Sequence, residues 1–153
     1  MPKHPRLLIV VADGEHVRFL RPAAGHTLHT ETAFDSTAAH KQSSDLGSDH
    51  PGAAMHTGST AHHALAPRHD LKALEKKKFA RFVAHQINAA AVDDGFDRLV
   101  VVAPSHILDA VRAALDTATE ARIIGTLAKD LVKTPDGELW PHIQSFLPPV
   151  IAS

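Results

Sequence analysis

The chain contains no cysteine. Disulfide staples, thiolate zinc sites and a catalytic thiol are therefore excluded, and stability has to come from packing. Long apolar runs are also missing. After Met1-Pro2-Lys3-His4-Pro5-Arg6, only Leu7 to Val11 are consecutively large and apolar before Ala12-Asp13-Gly14. That run is too short for the core of a secretory signal and far too short to span a bilayer, so membrane insertion is not expected and a cytoplasmic location is. Neither charge sign dominates: 16 Lys and Arg face 17 Asp and Glu, for a net charge of -1 and a pI near 6.9. Any affinity for nucleic acid must then come from a local patch. Glycine-rich phosphate loops of Walker or Rossmann type are absent, and no Gly-x-Ser-x-Gly elbow surrounds Ser105.

What is present suits one α/β domain. The 153 residues, 44% hydrophobic and 22% charged, match a single globular core. Leu7 to Ala12 is continuously apolar and rich in β-branched residues, as expected of a central strand covered on both faces. Asp13-Gly14 predicts a tight primed turn into a strand over His16 to Leu20, and Pro22 to Gly25 a second turn before a strand from Thr27 to Phe34. Asp70 is placed as the N-cap of a long helix carrying Leu71, Leu74, Phe79, Phe82, Val83 and Ile87 at helical spacing, ending near Asp94-Gly95. Asp97 to Ala103 reads as a second buried strand, Pro104 as the start of a helix with Ile107, Leu108, Val111 and Leu115 on one face, and Ala121 to Thr126 as a short strand. A last helix is expected from about Glu138 to Leu147, stopped by Pro148-Pro149. Strand and helix alternate in this second half, which implies parallel pairing through crossovers. The predicted fold is therefore α/β, a mixed five-stranded sheet in the order 3-2-1-4-5 with helices packed on it.

Between Asp35 and His69 the apolar pattern collapses into Ser, Thr, Asp, Gly, Ala and six histidines, which predicts a long polar, flexible loop. The histidines are His40, His50, His56, His62, His63 and His69. Imidazole is a common metal ligand, so His56, His62 and His63 are candidates, but none of the spacings is the i,i+2 or i,i+4 that puts two ligands on one face. No metal and no cofactor are expected. Lys72, Lys76, Lys77, Lys78 and Arg81, preceded by Arg68 and opposed nearby only by Glu75, give the start of the long helix a basic face suited to phosphate contact; the alternative is a solvated helix face. Ser105 is expected to N-cap its helix, where a small anion could be held. Asp13, at the end of the first strand, is a catalytic candidate in a metal-dependent nuclease reading, but the strand ending Ala103-Pro104 supplies no second acid.

Several pieces in order resemble a known family. Val11-Ala12-Asp13, then Arg18-Phe19, Ala66-Pro67-Arg68-His69-Asp70 leading into the Lys-rich helix with Phe79-Ala80, Phe96 through Pro104, and Lys129-Asp130-Leu131 together look like the bacterial host attachment family. That resemblance covers nearly the whole chain. It implies an architecture similar to the middle domain of archaeal and eukaryotic release factors, RNase-H-like in layout, and a link to translation. In release factors the loop before the long helix carries Gly-Gly-Gln; here the matching segment has Gln42 alone, without the glycines that let a backbone approach a substrate closely.

The expected function is thus a release-factor-like module contacting RNA or the translation machinery, with the ribosome or a tRNA as partner and without Gly-Gly-Gln catalysis. One alternative is an accessory factor for host attachment that binds a protein partner. A second is a hydrolase using the 35–69 loop, in which Gln42 and the loop histidines would act.

Overall fold

The computed structural model describes residues 6–47 and 68–147. Five strands form one sheet: β1 (Leu7–Ala12), β2 (His16–Ala23), β3 (Thr27–Asp35), β4 (Arg98–Val102) and β5 (Ile123–Leu127). The order is β3-β2-β1-β4-β5, as the sequence predicts. β1 pairs antiparallel with β2 and parallel with β4, in the registers Val10↔Phe19 and Val10↔Val101. Every residue of β1 is buried, because both faces of this central strand are covered. Its β-branched content suits that position: such side chains pack well on a pleated surface that never meets water.

Alternation divides the core into two layers. Leu8, Val10, Leu99 and Val101 face α2 (Arg68–Val92) and α3 (Ser105–Ala113), packing against Phe79, Val83, Ile87 and Ile107. Leu7, Ile9, Val100 and Val102 face the opposite layer, where Leu139, Trp140 and Ile143 of α5 (Asp136–Ile143) cover them. Each such fully buried aliphatic side chain contributes about 1.5–3 kcal/mol relative to exposure. One partly buried ion pair ties the second layer to the sheet edge. The Arg18 guanidinium donates to the carbonyls of Val132 and Thr134 and to Asp136, whose carboxylate also accepts from the Thr30 amide at 2.9 Å.

Several local expectations need correction. The first part of the segment read as a loop is helical: α1 spans Ser36–Gly47. Asp35 caps it, its carboxylate accepting from the Ala38 amide at 2.8 Å, and Ala38 and Ala39 are strong helix formers. The β1–β2 connection is not a primed turn. Positive φ occurs instead at Gly25 and His26, in the β2–β3 turn. Asp13 closes its own turn by accepting from the amides of Glu15 and His16, each at 2.7 Å, so no left-handed residue is required. α2 begins at Arg68, which places Asp70 inside the first turn rather than at the cap. It ends in a Schellman arrangement: Gly95 N donates to Ala90 O at 2.8 Å, Asp94 N donates to Ala91 O at 3.0 Å, and Asp94 is the left-handed residue. Gly95 is needed beside it for a different reason, because a Cβ there would lie 2.9 Å from Ala90 O.

Ser105 is the first helical residue of α3 and not its cap; Pro104 holds the cap position and no side chain bonds there. Proline's fixed φ pre-sets the chain for the helix that follows. A short helix, α4 (Thr117–Glu120), lies outside the sequence expectation, and β5 starts two residues and ends one residue later than expected. The last helix ends at Ile143 and passes into a 3-10 turn over Gln144–Phe146. Among the described residues no helix is long and apolar enough to cross a membrane.

Candidate functional site

α2 is 25 residues long and outruns the sheet beneath it. From Phe79 onward its inner stripe, Phe79, Ala80, Val83, Ala84 and Ile87, is buried; from Lys72 to Lys78 every residue is exposed. Lys72 and Lys76 lie seven residues before Phe79 and Val83, two helical turns apart in each case, so they continue the same stripe past the end of the sheet. The stripe therefore changes from apolar to cationic where its apolar cover runs out.

Grooves open on both sides of this projecting start. The first, a cavity of about 900 Å³, lies between α2, α1 and the β1–β2 turn; Lys72, Lys76, Lys78 and Arg81 border it, with Leu71, Phe79, Phe82 and Ala39 as its apolar wall. The second, about 410 Å³, lies between α2 and α3 and is bordered by Lys72, Lys76, Lys77 and His106 with Ala73, Ile107 and Ala110. Lys72 and Lys76 are common to both grooves. The Lys76 stem runs over the β1–β2 turn: a Cβ on Gly14 would fall 2.7 Å from its Cγ and 3.0 Å from its Cδ. The methylenes are thus laid against backbone while the ammonium reaches water. Gly14 is the residue that makes this approach possible.

Charge at the site is unevenly paired. Glu75 accepts from His40 Nε2 at 2.9 Å, which links α1 to α2, and lies 3.8 Å from Lys78 Nζ. Among the described residues no carboxylate lies within ion-pair distance of Lys72, Lys76, Lys77 or Arg81. Cations left in this state attract an anionic ligand without first having to break a protein contact.

Of the residues singled out from sequence, Lys72, Lys76, Lys77, Lys78 and Arg81 are brought together here. Arg68 is in the first turn of α2. Ser105 is exposed one residue before His106, at the edge of the second groove. Asp13 is occupied by its turn, with His16 Nδ1 also 3.6 Å away. Gln42 lies in α1. His50, His56, His62 and His63 lie outside the described residues; among those that are described, no cluster of three potential metal ligands occurs. Sequence reasoning missed Phe82, His85 and the contribution of α1. Phe82 is half-buried, 5.8 Å from Phe79 and 5.4 Å from Phe34 by ring centroids. Its helical spacing signalled a core residue, and only the end of the sheet leaves its ring beside the lysines.

Comparison with protein-family models gives a match over residues 8–143 to a family described as "Protein required for attachment to host cells". No curated protein matches the chain.

Proposed function

This chain belongs to the host attachment family, and within that family we propose that it acts as an RNA-contacting module of the translation machinery, using the lysine-bearing start of α2. The observation that carries this reading is the segregation of charge. A chain of net charge -1 places five cations between Lys72 and Arg81 on a helix segment released from the sheet, against Glu75 alone. Phosphate is the anion that such an exposed, lysine-rich stripe suits, and its binding is mainly electrostatic. A structural explanation for the stripe is weak, because among the described residues these lysines hold no carboxylate apart from the distant contact of Lys78 with Glu75. Gly-Gly-Gln chemistry is not part of the proposal.

The test is co-sedimentation of the purified chain with ribosomes from low to moderate salt, beside a variant carrying Lys76→Glu, Lys77→Glu and Lys78→Glu. Wild type should pellet at low salt and be released as salt rises, while the folded variant stays in the supernatant. Failure of the wild type to pellet at low salt would remove the ribosome from the proposal. A second reading, an attachment accessory factor with a protein partner, is favoured by the family's description and by Leu74, a large apolar side chain 38% exposed among the lysines. It expects capture of a protein that survives moderate salt and is lost with Leu74→Ser.

A further inference from the structure

The two grooves share a border, and that border is the cationic part of α2. Lys72 and Lys76, four residues apart, stand side by side as a ridge with a groove on each flank, the smaller one apolar beyond the lysines and the larger one mixed, with Glu15 and Glu75 as well as cations around its apolar wall. Phe82 and Leu71 line one recess, and Ile107 and Ala110 the other. A surface that only neutralised phosphate would gain nothing from these recesses. Duplex RNA keeps its bases stacked inside and offers a protein mainly phosphates and 2′-hydroxyls. A single strand instead presents a charged backbone with apolar base faces free to leave it, and proteins that hold single strands combine cations with surfaces on which bases stack.

We infer that the RNA held here is single-stranded and crosses α2, with a phosphate on the Lys72–Lys76 ridge and the bases on either side of it lodged in the two grooves. This rests on the RNA reading above. Charge complementarity places the backbone on the Lys72–Lys76 ridge and away from Glu15 and Glu75, and the half-buried Phe82 ring, which lines the larger groove, is the aromatic surface a base would meet there. An acidic, leucine-bearing peptide is the competing occupant. It fits less well: strand addition needs a free sheet edge, while α1, α2, α3 and the β1–β2 turn border these grooves, and an amphipathic helix needs one continuous apolar groove rather than two parted by lysines.

Fluorescence anisotropy on the full chain tests the inference with three probes: a single-stranded adenylate RNA of about eight nucleotides, within the site sizes of single-strand binders, a duplex RNA of equal length, and a peptide alternating glutamate and leucine. The single strand should bind at least about tenfold more tightly than the duplex. Phe82→Leu, which removes the stacking face, and Ala110→Leu, which fills the smaller recess, should each weaken single-strand binding about fivefold, a modest share of what stacking gives per base, and leave duplex binding unchanged. Ala110→Leu alone decides the matter if Phe82→Leu fails to fold. Equal affinity for single strand and duplex, abolished together by Lys72→Glu and Lys76→Glu, would overturn the crossing geometry while leaving the RNA reading intact. Absence of binding to either RNA would end both, and tighter binding of the peptide would transfer the grooves to a protein partner.

Discussion

The two halves of α2 are one continuous helix in opposite environments. From Phe79 to Ala91 its inner stripe is buried against Leu8, Val10, Leu99 and Val101; from Lys72 to Lys78 the same stripe faces water and carries lysine. The difference shows that helix formation and burial are separable here. A packed half supplies the nucleus, and Lys, Glu, Ala and Leu then extend the helix beyond the sheet at little cost in propensity. Released from packing, the leading half is free to carry charge.

The sharpest way to break this comparison is to truncate one residue in each half. Ile87→Ala should cost about 2–5 kcal/mol, since Ile87 is fully buried and its removal leaves a cavity between α2 and the sheet. Lys76→Ala should change stability by no more than about 0.5 kcal/mol. Urea unfolding at neutral pH measures both, and comparable losses would mean that the start of α2 is structural after all.

Charges used by the fold behave differently from charges left outside it, and the Arg18–Asp136 pair sharpens the contrast. Burial pushes the Asp136 carboxyl up, while bonds from Thr30 and Arg18 outweigh that and hold it below the ordinary carboxylate value of 3.8. A depressed acid of this kind contributes its stability above the unfolded pKa and loses it as pH falls through the folded one. The contribution is therefore complete at neutral pH and fades below about pH 4. Asp136→Asn should cost about 1–2 kcal/mol at pH 7, a figure kept low because the carboxylate is 36% exposed. The gap from wild type should narrow on acidification to pH 3. Lys72→Ala and Lys76→Ala should show no such acid dependence; urea midpoints at the two pH values separate the cases.

Much of the sheet was legible because its signals are local and strong. The β-branched runs at Leu7–Ala12 and Arg98–Val102 specify buried parallel neighbours, and the apolar spacing through Ile87 specifies the packed half of α2. Helix α1 was not legible from periodicity, because it lacks an apolar stripe and is started by the Asp35 cap. The Ser105 hydroxyl signals a cap, but Pro104 holds that position. The cationic half of the site could be read from the run Lys76-Lys77-Lys78. Its apolar half could not: Phe82 and Ile107 carry ordinary core spacing, and nothing in a linear sequence marks where the sheet stops beneath a helix.

Glu75 offers the finest discrimination between the two halves, since it is the one acid among the exposed residues at the start of α2, from Lys72 to Lys78. Its carboxylate touches His40 and approaches Lys78, with side chains about half exposed on each side, so these contacts hold little stability. Glu75→Gln should shift the unfolding free energy by no more than about 0.5 kcal/mol. Its effect on a ligand should be more visible: removing one like charge beside a bound phosphate should tighten RNA about two- to threefold at low salt and fade as salt screens it. Anisotropy titrations with the single-stranded probe at two salt concentrations would read this. Tighter binding would identify Glu75 as an internal competitor for the lysines. Weaker binding would instead mean that its contacts with His40 and Lys78 align α1 and α2 around the groove, and that the projecting half of the helix is more ordered by its own charges than its exposure suggests.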